Sequence, residues 1–446
     1  MTKDLTRGTP WKLIVQFALP IMLGNLLQQL YNTADTIIVG NFEGQQALSS
    51  VGACTSLTIL FTALALGFSI GAGVLISQYF GAGRMQELRR YAATSIVLML
   101  AMGLVMTMVG VLSAELLLRG FLGTPESLLP QSILYFRIYA AGLVFQFGYN
   151  IAAALLRALG DSRATLYFLL VSSVLNVVLD LLFVAVCGMG VAGAAIATVI
   201  SQLASCVIGF WYMYRKYELL RFSARELRLE PAVAGRILRV GLPMALQQSI
   251  VSCGFLFLQK LVNYYGESMI ASYTVASRME NILMIPILGI QSTMATYAGQ
   301  NMGAKLPERV SRGLGQGVLV SLFMTLVLCA GQIVGISLII GAFRLDEAAA
   351  EICCQHLFAS AVAIPIFAVY FPANGMFQGV GEGFHATFYA LMALGLRVVF
   401  AYSLHKTAAF GYTAIWWSQA MAWTLTLIVC YAHFFRGKWK EKSLIA

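Results

Sequence analysis

Twelve long apolar runs dominate this chain, at approximately 13–39, 48–80, 91–118, 128–156, 164–187, 190–214, 240–263, 270–298, 310–342, 351–379, 384–405 and 410–435. A bilayer core about 30 Å thick needs about 20 mostly apolar residues per crossing helix. The runs are continuous, without the ten-residue alternation of a membrane barrel strand, so they predict helices. Composition agrees: 59% of the 446 residues are hydrophobic and only 11% charged, against about 25% charged in an average soluble domain. Mean hydropathy is +0.79. A soluble enzyme, a secreted disulfide scaffold and a disordered chain are all disfavoured. The first run is long and carries Asn25, Gln28, Gln29, Asn32 and Asp35. It predicts a retained spanning helix rather than a cleaved signal peptide.

Positive charges set the orientation of such a chain. With the N-terminus taken as cytoplasmic, 22 of the 29 Lys and Arg fall in inside segments, three (Arg119, Arg344, Lys406) in outside loops and four within helices. A missed helix would scramble that division. The split places both termini on the cytoplasmic side of the inner (cell) membrane. It also accounts for the net charge of +10 without a nucleic-acid patch, because the charge is spread over many short loops. The eight cysteines form no CxxC and no zinc spacing and read as small core residues.

The two halves repeat each other. Leu19-Pro20 corresponds to Leu242-Pro243, Gln78-x-x-Gly81-Ala82 to Gln300-x-x-Gly303-Ala304, and Leu159-Gly160-Asp161 to Val380-Gly381-Glu382. Pro20 to Gln78 spans 58 residues and Pro243 to Gln300 spans 57; Gln78 to Thr165 and Gln300 to Thr387 are both 87. Six helices per half bring each half in from the same side. The expected fold is therefore all-α and integral to the membrane, with two six-helix bundles related by a pseudo-two-fold along the membrane normal. The expected domains are an N-terminal bundle at 1–214, a cytoplasmic linker at 215–239, a C-terminal bundle at 240–435 and a cytoplasmic tail at 436–446. Two parallel halves suit alternating access around a cavity at their interface.

A charge in hydrocarbon costs at least ~2.5–3.5 kcal/mol, so an acid inside a span is a functional candidate. Asp35, Asp180 and Glu280 are the clearly interior ones. At 1.5 Å per residue, Asp35 and Asp180 fall at similar depth in the outer leaflet. Asn176 lies one turn deeper than Asp180 on the same face, and Thr198 and Tyr135 reach a matching level. Two carboxylates close together in low dielectric hold a proton near neutral pH or bind Na+ with hard oxygen ligands. Helix-to-helix hydrogen bonding is the alternative for the same residues. The C-terminal half has Leu258 where the repeat would place an acid, followed by Lys260. Its Glu280 reads either as counter-charge for a cationic substrate or as an acid neutralised by Arg397 or Lys260.

Phe145, Phe147, Tyr149, Phe255, Phe257, Tyr370 and Phe371 are expected near the interface, where aromatics and Met suit a pocket tolerant of many shapes. Of these, Phe145, Tyr149, Phe255 and Tyr370 join Glu280 as expected substrate contacts. The sequence holds no HExxH and no phosphate-cradling GKS/T; Gly379-x-Gly381-x-Gly383 reads as a turn. The four histidines (356, 385, 405, 433) are expected at surface or loop positions. No cofactor and no enzymatic activity are expected.

The order and spacing of these features resemble the multidrug and toxic compound extrusion (MATE) family over the whole chain. The likeness is to prokaryotic members with an acid in the first helix. It rests on Leu-Pro early in each half, Tyr31-Asn-Thr-Ala-Asp35-Thr-x-x-Val39-Gly40, the two Gln-x-x-Gly-Ala helix ends and Asn176-x-x-x-Asp180 followed by Thr198. The resemblance implies export of amphipathic, often cationic compounds by H+ or Na+ antiport. It implies a coupling site at Asp35, Asn176, Asp180 and Thr198 with Tyr135 beside it, and bending of the first helix near Pro20. Relatives with acids in helices 7 and 10 differ, since this chain lacks them there. The alternative within transport is a lipid-linked saccharide flippase of the polysaccharide-exporter type. A monomer in the bilayer is expected, with small molecules as its partners.

Overall fold

The computed structural model describes residues 4–343, 345–442 and 444–445, excluding the side chains of 251–256. Lys3, Arg344, Cys253 and Phe255 of the sequence reading therefore lie outside the described residues. The backbone is helical almost throughout, in the twelve segments the apolar runs predict. The first two, α1 (10–43) and α2 (45–81), run on through a break at Gly44, where φ is 79° and ψ −175°. There follow α3 (Met85–Phe121), α4 (Leu129–Ala158, bent by 43° at Gly142), α5 (Ser162–Val186) and α6 (Gly190–Lys216). The second half holds α7 (Pro231–Tyr264), α8 (Glu267–Gly303), α9 (Pro307–Phe343), α10 (Glu347–Val380), α11 (Gly383–Leu404) and α12 (Ala414–Arg436). The shortest, α11, has 22 residues, or about 33 Å at 1.5 Å per residue, which is enough to cross.

The repeated motifs terminate helices in the same way in both halves. After the buried Gln78 and Gln300, α2 and α8 each close with a residue in the left-handed region, Gly83 (φ 70°) and Lys305 (φ 59°). The amide of the next residue donates five residues back, Arg84 to Tyr79 at 3.1 Å and Leu306 to Asn301 at 2.8 Å. This satisfies carbonyls the helix end would orphan. Gly160 and Gly381 do the same after α4 and α10, at φ 86° and 95°. Asp161 then caps α5 by accepting from the Ala164 amide at 3.1 Å.

The chain divides into two compact units, and the boundary does not follow the repeats. One unit is Leu23–Ser249 with Met1–Asp4; the other is Leu5–Met22 with Ile250–Ala446. The bundles expected from the sequence are 1–214 and 240–435, with a linker at 215–239; helix α7 instead begins at Pro231, inside that linker, because its first turns are charged and lie outside the apolar run. By contacts, the start of α1 belongs with the C-terminal helices and the start of α7 with the N-terminal ones. The packing that fixes this is itself repeated. A Cβ on Gly67 of α2 would come within 2.2 Å of Ala245 Cα on α7. A Cβ on Gly289 of α8 would come within 2.5 Å of Met22 Cγ on α1. Gly67 and Gly289 are 222 residues apart, as are Gln78 and Gln300; Met22 and Ala245 are 223 apart, as are Pro20 and Pro243. Small residues let helices approach where hydrophobic burial gives no net drive. Pro20 thus lies within a few residues of the point where α1 passes from one unit to the other.

Each unit has its own core. Phe61, Phe136, Tyr139 and Leu143 centre one in the N-terminal unit. Phe17, Tyr297, Tyr370 and Phe377 centre one in the C-terminal unit. Among the described residues, the cysteines are all free thiols.

Candidate cation site in the N-terminal unit

Polar residues recur at helical spacing on the helices of this unit. On α1 they are Asn25, Gln28, Tyr31 and Asp35; on α5, Ser172, Asn176 and Asp180; on α6, Thr198, Ser201 or Gln202, and Ser205. Residues three or four apart share a helix face, so each series forms a stripe. Most of these residues, with Thr62 of α2 and Gln146, Tyr149, Asn150 and Arg157 of α4, line one cavity of about 160 Å³ within the unit.

At one edge of this polar region the Asp35 and Asp180 carboxyls face each other at interaction distance. Asp180 is fully buried and Asn176 nearly so. Asp180 ends the regular turns of α5, and the next six residues, Leu181–Val186, form wider π-helical turns. Such turns recur at functional positions in helices. Apart from the two carboxyls themselves, no donor among the described residues reaches Asp35 Oδ1, either Asp180 oxygen or Asn176 Oδ1, and no acceptor reaches Asn176 Nδ2. Among the described residues neither acid has an ion-pair partner. Buried polar groups are paired in more than about nine cases in ten, so five unpaired atoms on three neighbouring residues stand out. Thr198 donates to the Ala194 carbonyl at 3.0 Å and keeps its lone pairs. Tyr135, 7% exposed, lies within electrostatic range of both acids.

Beside the acids is a hydrogen-bonded cluster that the sequence reading does not name. Thr62 Oγ1 and Tyr139 Oη are 3.2 Å apart, and Gln146 Nε2 donates to Thr62 Oγ1 at 2.9 Å. Tyr31 and Arg157 are also absent from its site. Arg157 is counted there as a loop charge, but the last turn of α4 carries it onto the cavity wall. The i, i+3/i+4 stripe was the available signal for the uncharged members.

The C-terminal unit handles its acid differently. Glu280 of α8 meets His356 Nε2 of α10 at 3.3 Å, with Arg397 of α11 in electrostatic range. His356 is stacked between Tyr273 (5.6 Å) and Trp416 (4.8 Å). The expectation that the histidines sit on the surface or in loops is therefore wrong for His356, which is 2% exposed in mid-helix. Its neighbours on the helix are too apolar for spacing to reveal a partner. Lys260 is exposed and Leu258 is core.

Of the expected substrate contacts, Tyr149 lines the cavity of the N-terminal unit, whereas Phe145 does not. Tyr370 is 1% exposed and packed against Phe371 and Trp423. It belongs to the core of the C-terminal unit in this conformation, not to a lining surface. Its phenol is engaged there, accepting from Asn374 Nδ2 at 2.9 Å.

Comparison with known proteins agrees with this architecture. A probable multidrug resistance protein, YpnP of Bacillus subtilis, is 29% identical over 99% of this chain and 98% of its own length. The multidrug export protein MepA of Staphylococcus aureus is 24% identical over 93% of this chain and 91% of its own. A solved outward-facing multidrug resistance MATE family transporter of the MOP superfamily superposes with a TM-score of 0.92 at 26% identity, covering 99% of both chains. The MatE family profile matches residues 20–182 and 243–403, one stretch per repeat. With both repeats matched over more than half its length, the chain belongs to the MatE family of multi-pass membrane transporters.

Proposed function

We propose that this transporter exports amphipathic, mainly cationic organic compounds in exchange for H+ or Na+, and that Asp35, Asn176, Asp180 and Thr198 hold the exchanged cation. The observation that carries this reading is the facing carboxyl pair with its unpaired oxygens. Two such groups in low dielectric cannot both remain ionised without a counter-charge. A shared proton meets the need, and so does Na+ held by carboxylate, amide and hydroxyl oxygens, the ligands hard cations prefer. Tyr135 would bound the site.

Coupling follows if cation and cargo favour different conformations, so that each promotes release of the other. Pro20, near the point where α1 leaves one compact unit for the other, is the hinge in this account. A proline inside a helix loses one backbone hydrogen bond and bends readily. The cavity beside the acids presents Tyr149, amides and hydroxyls to a cargo. It carries one cation, Arg157, among its lining residues; a flippase for phosphate-linked saccharides would need several. We place the protein in the cell membrane as a monomer with both termini cytoplasmic.

The test is efflux of a cationic dye from proteoliposomes under imposed pH or Na+ gradients. Acceleration by one inward gradient is expected. Equal rates with both gradients collapsed would remove the antiport reading.

A further inference from the structure

The turn between α10 and α11 holds an acid whose surroundings differ from those of its repeat partner. In the N-terminal unit Asp161 Oδ2 accepts from Tyr217 at 2.6 Å, Tyr212 at 2.9 Å and Lys216 at 2.9 Å. Every part of that carboxylate is engaged. Glu382 occupies the equivalent position after left-handed Gly381, and its side chain is 1% exposed. Its Oε1 meets Lys442 at 3.0 Å. Its Oε2 is buried and accepts no hydrogen bond. Two imidazole nitrogens converge on that oxygen instead: His433 Nε2 of α12 at 3.4 Å and His385 Nδ1 of α11 at 3.8 Å.

We infer that Glu382, His385 and His433 form a binding site for a divalent transition-metal ion of the Zn2+ type. The three ligand atoms lie within 4.8 Å of one another. Zinc bonds of about 2.0–2.2 Å to N and O place neighbouring tetrahedral ligands roughly 3.3–3.5 Å apart. His433 already satisfies that spacing to Glu382; His385 stands a few tenths of an ångström beyond it and must also close on His433, from which it lies no more than 4.8 Å away, as rotation of its exposed side chain allows.

The shell behind the ligands fits as well. His433 is stacked on Phe377 (centroids 5.0 Å, planes 9° apart), and its Nδ1 lies 2.5 Å from the Tyr389 hydroxyl. A proton on Nδ1 donated to that hydroxyl leaves the Nε2 lone pair aimed at the ion. Metal-ligating histidines are usually oriented by such an outer partner. His385 has a side chain 41% exposed and leaves an open coordination position for water. Lys442, 51% exposed, stays on Oε1 or swings aside. Its charge and that of Arg436 nearby oppose a cation, so the site favours a metal that bonds imidazole strongly over Ca2+ or Mg2+. A bound ion would clamp the α10–α11 turn to the end of α12 and brace this end of the C-terminal unit. The site is independent of the acid pair, so its loss leaves the transport reading intact.

The experiment uses tag-free, full-length protein in detergent, titrated with Zn2+ against a chromophoric chelator and separately with Co2+. We expect one Zn2+ per chain, intense tetrahedral Co2+ absorption, and thermal stabilisation by Zn2+ that grows with concentration. His385→Ala, on an exposed side chain, and His433→Ala should each weaken binding at least about 100-fold. Tyr389→Phe, which keeps all three ligands, should weaken it about tenfold. Affinity unchanged in the His385→Ala and His433→Ala double variant, or Co2+ spectra of octahedral type only, would overturn the assignment.

Discussion

The two units treat the acids inside their spans in opposite ways. In the N-terminal unit Asp35 and Asp180 face each other with no ion-pair partner among the described residues. In the C-terminal unit Glu280 faces His356, with Arg397 close by. A buried charge with a partner is electrostatically complete, and breaking the pair is costly. A buried pair of like charges is incomplete and draws a cation from outside. On the proposed reading, the N-terminal unit keeps its acid pair open to an ion, whereas the C-terminal unit closes off Glu280, at a position the repeat matches to neither acid, with its own side chains.

The largest effect is expected from removing the open site. Asp35→Asn or Asp180→Asn should abolish gradient-driven efflux while the protein still reaches the membrane at normal level, read by dye efflux and membrane quantitation. Full efflux in both variants would erase the distinction between the units. Closing the open site from within is the complementary test. Asn176→Lys puts an ammonium one helical turn from Asp180, imitating the C-terminal unit. Purified protein should stay folded and monodisperse but transport at background.

A smaller change is expected at the closed site. Glu280→Gln leaves His356 without its acid, so efflux should fall by about tenfold or less, equivalent to roughly 1.4 kcal/mol. Cationic and neutral cargoes should suffer equally. Selective loss of cations would show that Glu280 serves the cargo and is not closed at all. His356→Gln alone and combined with Glu280→Gln should give non-additive losses of thermal stability, as paired residues do.

The smallest effect concerns Asp161. Burial alone would raise its carboxyl, but Tyr217, Lys216, the Ala164 amide and Tyr212 outweigh burial and hold it below the ordinary carboxylate value. An acid depressed in the folded state adds stability above its unfolded value, about 3.9. That stability is lost as pH falls through the folded value. Asp161→Asn, which still caps α5, should melt lower than wild type at neutral pH. The gap should narrow below about pH 4. A gap independent of pH would show that the contribution is not the charge.

Much of this was legible in the chain. The twelve runs predict the helices, most of their ends to within a few residues, because a bilayer demands long apolar segments; the charged first turns of α3 and α7, from Met85 and Pro231, lie outside the runs. The motifs at Gln78 and Gln300 predict their helix ends, because only a few turn chemistries close a helix. Depth arithmetic brings Asp35, Asp180, Thr198 and Tyr135 to similar depth, with Asn176 one turn deeper than Asp180 on the same face. The exchange of the α1 and α7 starts was not legible, since Gly67 and Ala245 are ordinary small residues until packing makes them neighbours. His356 was missed because its meaning depends on Glu280, 76 positions away. Gln146 and Tyr139 were missed because uncharged polar residues cost little enough in a span to be common.

The central claim is that cargo and cation compete through the Asp35 and Asp180 pair. The most direct measurement is cation release on cargo binding by purified protein in weakly buffered detergent, following protons with an indicator dye and Na+ with 22Na+. Addition of a cationic dye substrate should release protons or Na+ from the wild type, and none from Asp35→Asn or Asp180→Asn. Equal release from the wild type and both variants would contradict the account.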